Sequence, residues 1–191
     1  MTDAATIGPM QAEADTRRWL ERAVIGLNLC PFAKAVHMKR QIHYAVYPDA
    51  DEGPLIDMLL AQARELIAHD ASVRDTTLLI APNTLADFLD FNDFTARAER
   101  QLARAGFDGV LQLASFHPQF QFAGSAPDDI ANATNRAPYP TLHLLREDSV
   151  SRAVEAFPEA EAIFERNIET LEALGQAGWD ALDVGAGSAK P

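Results

Sequence analysis

Thr76-Thr-Leu-Leu-Ile-Ala81, closed by Pro82-Asn83, is a run of six almost wholly apolar residues ended by a turn signal. A run this short and this continuous reads as a strand buried on both faces, because a strand with one wet face alternates polar and apolar residues. On its N-terminal side, Leu55, Ile56, Leu59, Leu60, Ala63, Leu66 and Ile67 make one apolar helical stripe that Gly53-Pro54 opens. On its C-terminal side, Thr84 and Asp87 resemble a capping box. The helix they start turns Phe88, Phe94, Leu102 and Ala105 inward and stops at Gly106. A central strand between two helices is the repeating unit of an α/β fold.

Residues 41–47 and 110–116 are rich in strand formers and supply two more strands. Residues 141–146 read as a fourth, although pattern alone also allows a helix running through Val154. A first helix, capped by Asp15 or Thr16, carries Trp19, Leu20, Ala23, Val24 and Leu27 at helical spacing and ends near Asn28. Pro31 suits the first position of a short helix through residue 38. Two helices close the chain, over 149–157 and 158–174; the second turns Ile163, Phe164, Ile168, Leu171 and Leu174 inward and stops at Gly175. The expectation is α/β: a single-domain sandwich over residues 15–180, with about four strands in a mixed, partly parallel sheet and about six helices. Residues 1–14 read as a disordered segment and 181–191 as a flexible tail.

The 191 residues are 48% hydrophobic and 23% charged, with 16 basic and 28 acidic side chains for a net charge of −12. That composition excludes disorder over most of the chain and provides enough apolar surface for a core without staples. The single cysteine, Cys30, rules out an intrachain disulfide and a four-ligand cysteine-histidine zinc site. No apolar run approaches the roughly 18 residues of a membrane span, and residues 1–10 hold no basic group ahead of an apolar stretch, so the expectation is a cytoplasmic protein without a membrane partner. Acidity argues against nucleic-acid binding, which needs clustered cations. The charge is uneven, however: between Thr16 and His43 stand Arg17, Arg18, Arg22, Lys34, Lys39 and Arg40 against Glu21 alone. This is either a solvated helix face or a surface that steers an anion or docks an acidic partner. Oligomeric state has no signature in the sequence.

Side chains that make sites are concentrated in Ser115-Phe-His-Pro-Gln-Phe-Gln-Phe-Ala-Gly124 and in the segment from Asp128 to Glu147. Residues 117–140 carry no helical or strand period, which in a compact domain points to a functional loop. The loop leaves the end of a strand, where open α/β sheets bind their ligands. Phe116, Phe120, Phe122 and Tyr139 can pack it down. Pro118 pins His117, whose imidazole is open to three roles: general base, metal ligand or structural hydrogen-bonder. Asn132, Asn135 and Arg136 either fix a carboxylate, phosphate or amide of a substrate or satisfy the backbone of their own loop; Arg146 and Arg166 could add to the first role. His143 faces the loop or solvent according to strand register. His117, His143 and Asp128 or Asp129 match no ligand spacing, so neither a metal nor a cofactor is expected. Cys30, before Pro31, stands at a helix start where a thiolate would be stabilised, with Lys34 close in sequence; flanking Leu29 and Phe32 suggest an inert, buried thiol instead.

Gly26-Leu-Asn-Leu-Cys-Pro-Phe-Ala33, Ala114-Ser-Phe-His-Pro-Gln-Phe-Gln-Phe-Ala-Gly124 and Asn132-Ala-Thr-Asn-Arg-Ala-Pro-Tyr-Pro-Thr-Leu-His-Leu-Leu-Arg-Glu147, with Arg166-Asn-Ile168 and Gly178-Trp179, resemble a bacterial family, domain of unknown function 1415. The resemblance spans about residues 15–180 and implies one self-contained bacterial domain. It implies no activity, cofactor or catalytic residue. The residues themselves suggest a small enzyme acting on a small anionic or amide-bearing molecule at the 117–140 loop. In it His117 is the acid/base group, Cys30 the candidate nucleophile, and Asn132, Asn135, Arg136, His143 and Arg146 the substrate contacts. The alternative is a non-catalytic module that uses the same loop and the basic first helix for ligand binding or protein interaction.

Overall fold

The computed structural model describes residues 6–157 and 159–187. Its centre is one sheet of four strands, β1 (Ile42–Val46), β2 (Thr76–Ile80), β3 (Leu111–Phe116) and β4 (Thr141–Arg146), in the order β1-β2-β4-β3. β1 and β2 are parallel, and β4 lies antiparallel to both β2 and β3. All five residues of β2 are buried, as its unbroken apolar run requires. The helical alternative for 141–146 is excluded by two ladders, which pair Thr141 with Ile80 on one side and with Phe116 on the other.

Six α-helices flank the sheet among the described residues: α1 (Pro9–Trp19), α2 (Ala33–Met38), α3 (Leu55–Ala68), α4 (Phe88–Leu102), α5 (Glu147–Ala156) and α6 (Ile163–Ala181). Alternation along the strands divides their side chains between two faces. Ala45, Tyr47, Leu79, Leu142, Leu144 and Leu111 pack against α3 and α4, where Leu55, Leu59, Ala63, Leu66, Phe91, Phe94 and Leu102 meet them. The opposite face carries Tyr44, Leu78 and Ile80 against Ala12, Trp19, Leu20, Ala23 and Val24. Layers are therefore helix, sheet, helix. Asp87 caps α4 by accepting hydrogen bonds from the amides of Leu89 and Asp90, so it is the cap itself rather than the distal half of a capping box. Ala105 lies past the end of α4 and is exposed.

Both chain ends differ from expectation. α1 begins at Pro9, directly after extended Gly8, so residues 9–14 of the segment read as disordered are helical; residues 1–5 of it lie outside the described residues. Asp15 and Thr16 are not caps but fully buried interior positions. The Asp15 carboxylate accepts hydrogen bonds from Tyr139 Oη (2.6 Å), Gln11 Nε2 (2.8 Å), Arg18 Nη2 (2.6 Å) and the Gly187 amide (2.9 Å). The last of these ties down the C-terminal segment. Arg18 also donates to the carbonyls of Asp183 and Gly185, and Arg22 to that of Leu182, while Val184 is buried beside Trp19. Residues 181–187 are thus docked, and 188–191 of the expected tail lie outside the described residues. Gly175, at φ 67° and ψ 173°, breaks the helix where the sequence places its stop, and a second helical stretch follows through Ala181. Phe164 is 53% exposed rather than inward.

Candidate functional site

The 117–140 loop is held by its own polar side chains. His117 is fully buried between the rings of Phe88 and Phe91, with centroids 5.4 and 5.0 Å away. Its Nδ1 accepts from the Gln119 amide (3.0 Å), so Nε2 carries the proton and donates to the Leu85 carbonyl (3.0 Å). Leu85 sits at φ 56°, a left-handed conformation that costs a leucine about 1–2 kcal/mol. The imidazole therefore anchors the strained turn that leads into Asp87 and α4. Burial pulls the His117 pKa below the usual histidine value, against the opposing pull of the Leu85 carbonyl and the Asp87 charge.

Asn132 is equally enclosed. Its Oδ1 accepts from the Phe122 amide and Ser125 Oγ, and its Nδ2 donates to the Ala126 carbonyl. Arg136 donates from Nε to the Phe120 carbonyl (3.1 Å) and from Nη2 to that of Pro127 (2.7 Å), and Asn135 donates to that of Ser115. A long segment without a ladder has many backbone groups to satisfy, and these residues satisfy them. Arg166, at the other end of the chain, pairs with Glu159. The cations of the first helix are also engaged: Arg17 pairs with Glu13 and lies 3.9 Å over the Tyr44 ring, and Arg18 pairs with Asp15.

On the sheet face opposite α3 and α4 lies a cavity of about 520 Å³, within the range of about 300–1,000 Å³ that small-molecule sites occupy. Its floor is the outward set of the strand alternation: Ile42 of β1, Thr76 and Leu78 of β2, His143 and Leu145 of β4, and Gln112, Ala114 and Phe116 of β3. Trp19, Leu20 and Val24 form one wall, with Trp19 edge-on to Phe116 at 5.1 Å. The roof is Cys30 to Ala33 and Ala35 and Val36 around α2, with Val150 and Ala153 of α5. Phe32 meets Phe157 edge-on at 5.8 Å, joining the start of α2 to the end of α5. Neither α2 nor α5 contains a buried residue, because their apolar sides face the cavity instead of packing on the sheet.

Polar groups are few and gather toward the strand end that bears Thr76 and Arg146. Thr76 Oγ1 donates to the Leu144 carbonyl (2.6 Å); having one proton, it accepts from His143 Nε2 at 2.5 Å. His143 is thereby set in the Nε2–H tautomer, and Nδ1 keeps its lone pair with no hydrogen-bond partner among the described residues. Burial drives its pKa down to about 4, so the ring is neutral at pH 7. Ser149 Oγ donates to Asp75 (2.5 Å), and Gln112 Nε2 donates to Glu147 (2.7 Å). Arg146 lies 4.0 Å from Asp75 and donates to the carbonyls of Leu66, His69 and Arg74, closing the C-terminal end of α3. α2 begins at Ala33 with Phe32 at the cap position, so Pro31 is not its first residue and Cys30 stands two residues before the cap; burial holds the thiol pKa above its usual value.

The structure thus brings Cys30, His143 and Arg146 to one cavity and leaves His117, Asn132, Asn135 and Arg136 outside its lining. Sequence reasoning missed Gln112, Ala114, Thr76 and the α5 residues. A signal existed in the period-2 set Gln112, Ala114, Phe116, where small and polar residues interrupt a face that should be large and apolar. Among the described residues no group of three or more His, Cys, Asp or Glu side chains is placed to hold a metal ion, and no helix is long and apolar enough to cross a membrane. In comparisons with known proteins, residues 11–181 match the family described as "Protein of unknown function (DUF1415)". No curated protein and no solved structure matches the chain.

Proposed function

The chain belongs to the DUF1415 family, and we propose that it binds a small, largely apolar molecule in the cavity beneath α2 and α5. The observation that carries this reading is the pair of roof helices: both lack buried residues, yet both turn apolar side chains toward a 520 Å³ space. A ligand there removes apolar surface of Val36, Val150, Leu145 and Phe116 from water, at about 25 cal/mol per Å². The rival placement, at the 117–140 loop, would have to draw His117, Asn132 and Arg136 away from the backbone groups they hold. A catalytic use of the cavity is favoured by one feature, the presence of both Cys30 and His143 in its lining. In such a use Cys30 is the nucleophile and His143, with its free Nδ1, takes the acid/base role in place of His117.

Binding is tested with a neutral apolar fluorescent dye such as N-phenyl-1-naphthylamine. The wild-type protein is expected to enhance its emission saturably. Ala114→Phe, which projects a ring from the cavity floor, should abolish the enhancement while leaving the unfolding midpoint equal or higher. Equal enhancement by both proteins, or none by the wild type, removes the reading.

A further inference from the structure

We infer that the cavity is built for a short apolar chain whose uncharged head both donates and accepts hydrogen bonds, a primary carboxamide being the fullest match. The inference rests on the proposed binding role and adds the chemistry of the ligand.

Polar groups gather at one end of the floor. Thr76 and Gln112 flank Leu145 on its two sides, with Arg146, Ser149 and Asp75 beside them in the lining. From Gln112 the floor runs along β3 for about 13 Å, at roughly 3.3 Å per residue, to the apolar end made by Phe116 and Trp19. A ligand lying along the strands has its head at Gln112 and its chain on Phe116.

The hydrogen-bonding capacity left over at the polar end decides what that head is. Among the described residues, Tyr44 Oη is the one buried side-chain polar atom without a hydrogen-bond partner. His143 Nδ1 and Arg146 Nη1 have no partner there either, so they are not buried: each opens from a residue that lines the cavity. His143 Nδ1 offers a lone pair, because Nε2 carries the proton toward Thr76. Arg146 Nη1 offers N–H donors, because the guanidinium reaches the carbonyls of Leu66, His69 and Arg74 through Nε and Nη2. Gln112 supplies both kinds. Its amide nitrogen gives one hydrogen to Glu147 Oε2, a carboxylate oxygen that accepts, which fixes the orientation of the amide and leaves a second N–H and the carbonyl oxygen.

A carboxylate head answers the donors alone and sets its lone pairs against those of His143 Nδ1 and the Gln112 oxygen. An ammonium answers the acceptors alone and leaves Arg146 Nη1 and the Gln112 N–H unmet. Neither charge is called for, since Arg146 and Asp75 stand 4.0 Å apart as counter-charges to each other. An ester accepts without donating. A primary carboxamide accepts through its oxygen from Arg146 or Gln112, donates through its nitrogen to His143 Nδ1, and carries no ion out of water.

The test compares octanamide, methyl octanoate, octanoate and octylamine at pH 7.5, which share one acyl or alkyl length and differ in the head. Each is measured by displacement of the neutral dye and by its shift of the unfolding midpoint. Octanamide is expected to raise the midpoint and to displace the dye at concentrations at least about tenfold below the other three, the worth of one hydrogen bond with an unmade partner. His143→Phe, which keeps a ring and removes the acceptor, should cost octanamide about tenfold and leave methyl octanoate and the dye unaffected. If that variant fails to fold, the ranking of the four ligands on the wild type still decides. Any of the other three binding as tightly as octanamide overturns the inference, as does undiminished octanamide binding by folded His143→Phe, or an equal loss of methyl octanoate. Dye binding that none of the four displaces overturns the head group alone. Failure of the dye and all four ligands to bind brings down the binding role as well.

Discussion

Asp15→Ala is expected to lower the free energy of unfolding by about 3–5 kcal/mol, the range found when one partner of a buried ion pair is removed. Asp15 is fully buried and Arg18 nearly so, with Nη2 2.6 Å from the carboxylate. Truncation leaves that guanidinium without its counter-charge and strands the Tyr139 hydroxyl and the Gly187 amide, which loosens the C-terminal segment on α1. Burial alone would raise the Asp15 pKa; the hydrogen bonds from Tyr139, Gly187, Gln11 and Arg18 outweigh it and hold the value below the usual carboxylate range. The sign of the pH dependence follows. This stabilisation is complete above the unfolded-state pKa of about 3.9 and disappears as pH falls through the lower folded value. Urea unfolding at pH 7 measures the loss, and a repeat between pH 5 and 2.5 should find the wild type converging on the variant. A loss below about 1 kcal/mol at pH 7 would show that Asp15 is not the clamp.

His117→Ala should cost about 3 kcal/mol while leaving dye binding at wild-type strength. The substitution opens a void between Phe88 and Phe91 and strands the Leu85 carbonyl and the Gln119 amide. Because the folded-state pKa is depressed, the neutral ring contributes fully above about pH 6.5, the unfolded value, and less as pH falls below it. Denaturation and dye titration on the same preparation separate the roles. Stability within about 0.5 kcal/mol of wild type, coupled with loss of dye binding, would return His117 to the functional site.

The layered architecture was legible because its strongest elements state their environment locally. Residues 76–80 carry no polar side chain beyond two threonines, and only a strand covered on both faces explains that. The stripe of α3 likewise predicts Leu55, Leu59, Ala63 and Leu66, all wholly buried, although Ile67 at its end is exposed. The antiparallel insertion of β4 between β2 and β3 was not legible, since no residue of 141–146 names its partner strands. The dense polar signal of 117–140 admits two readings that sequence alone does not separate. Side chains such as Asn132 are abundant there because an unladdered loop needs them for its own backbone, and a ligand-binding loop has the same composition. Docking of residues 181–187 escaped notice because Arg18 and Arg22 bond to carbonyls, which every residue has. The cavity joins residues 19–36, 112–116 and 143–153, three segments that only the tertiary fold brings together. Cys30 and His143 were recognisable as chemical groups, but their shared location was not.

Methyl NMR most directly tests whether the space beneath α2 and α5 is a binding site. With isoleucine, leucine and valine methyls labelled, saturation with N-phenyl-1-naphthylamine should shift Val24, Ile42, Leu145 and Val150, which line the cavity. Leu59, Leu66 and Leu79, in the core on the other side of the sheet, should stay in place. Shifts confined to exposed methyls such as Val73 and Leu89, or an unchanged spectrum at saturating dye, would contradict the assignment.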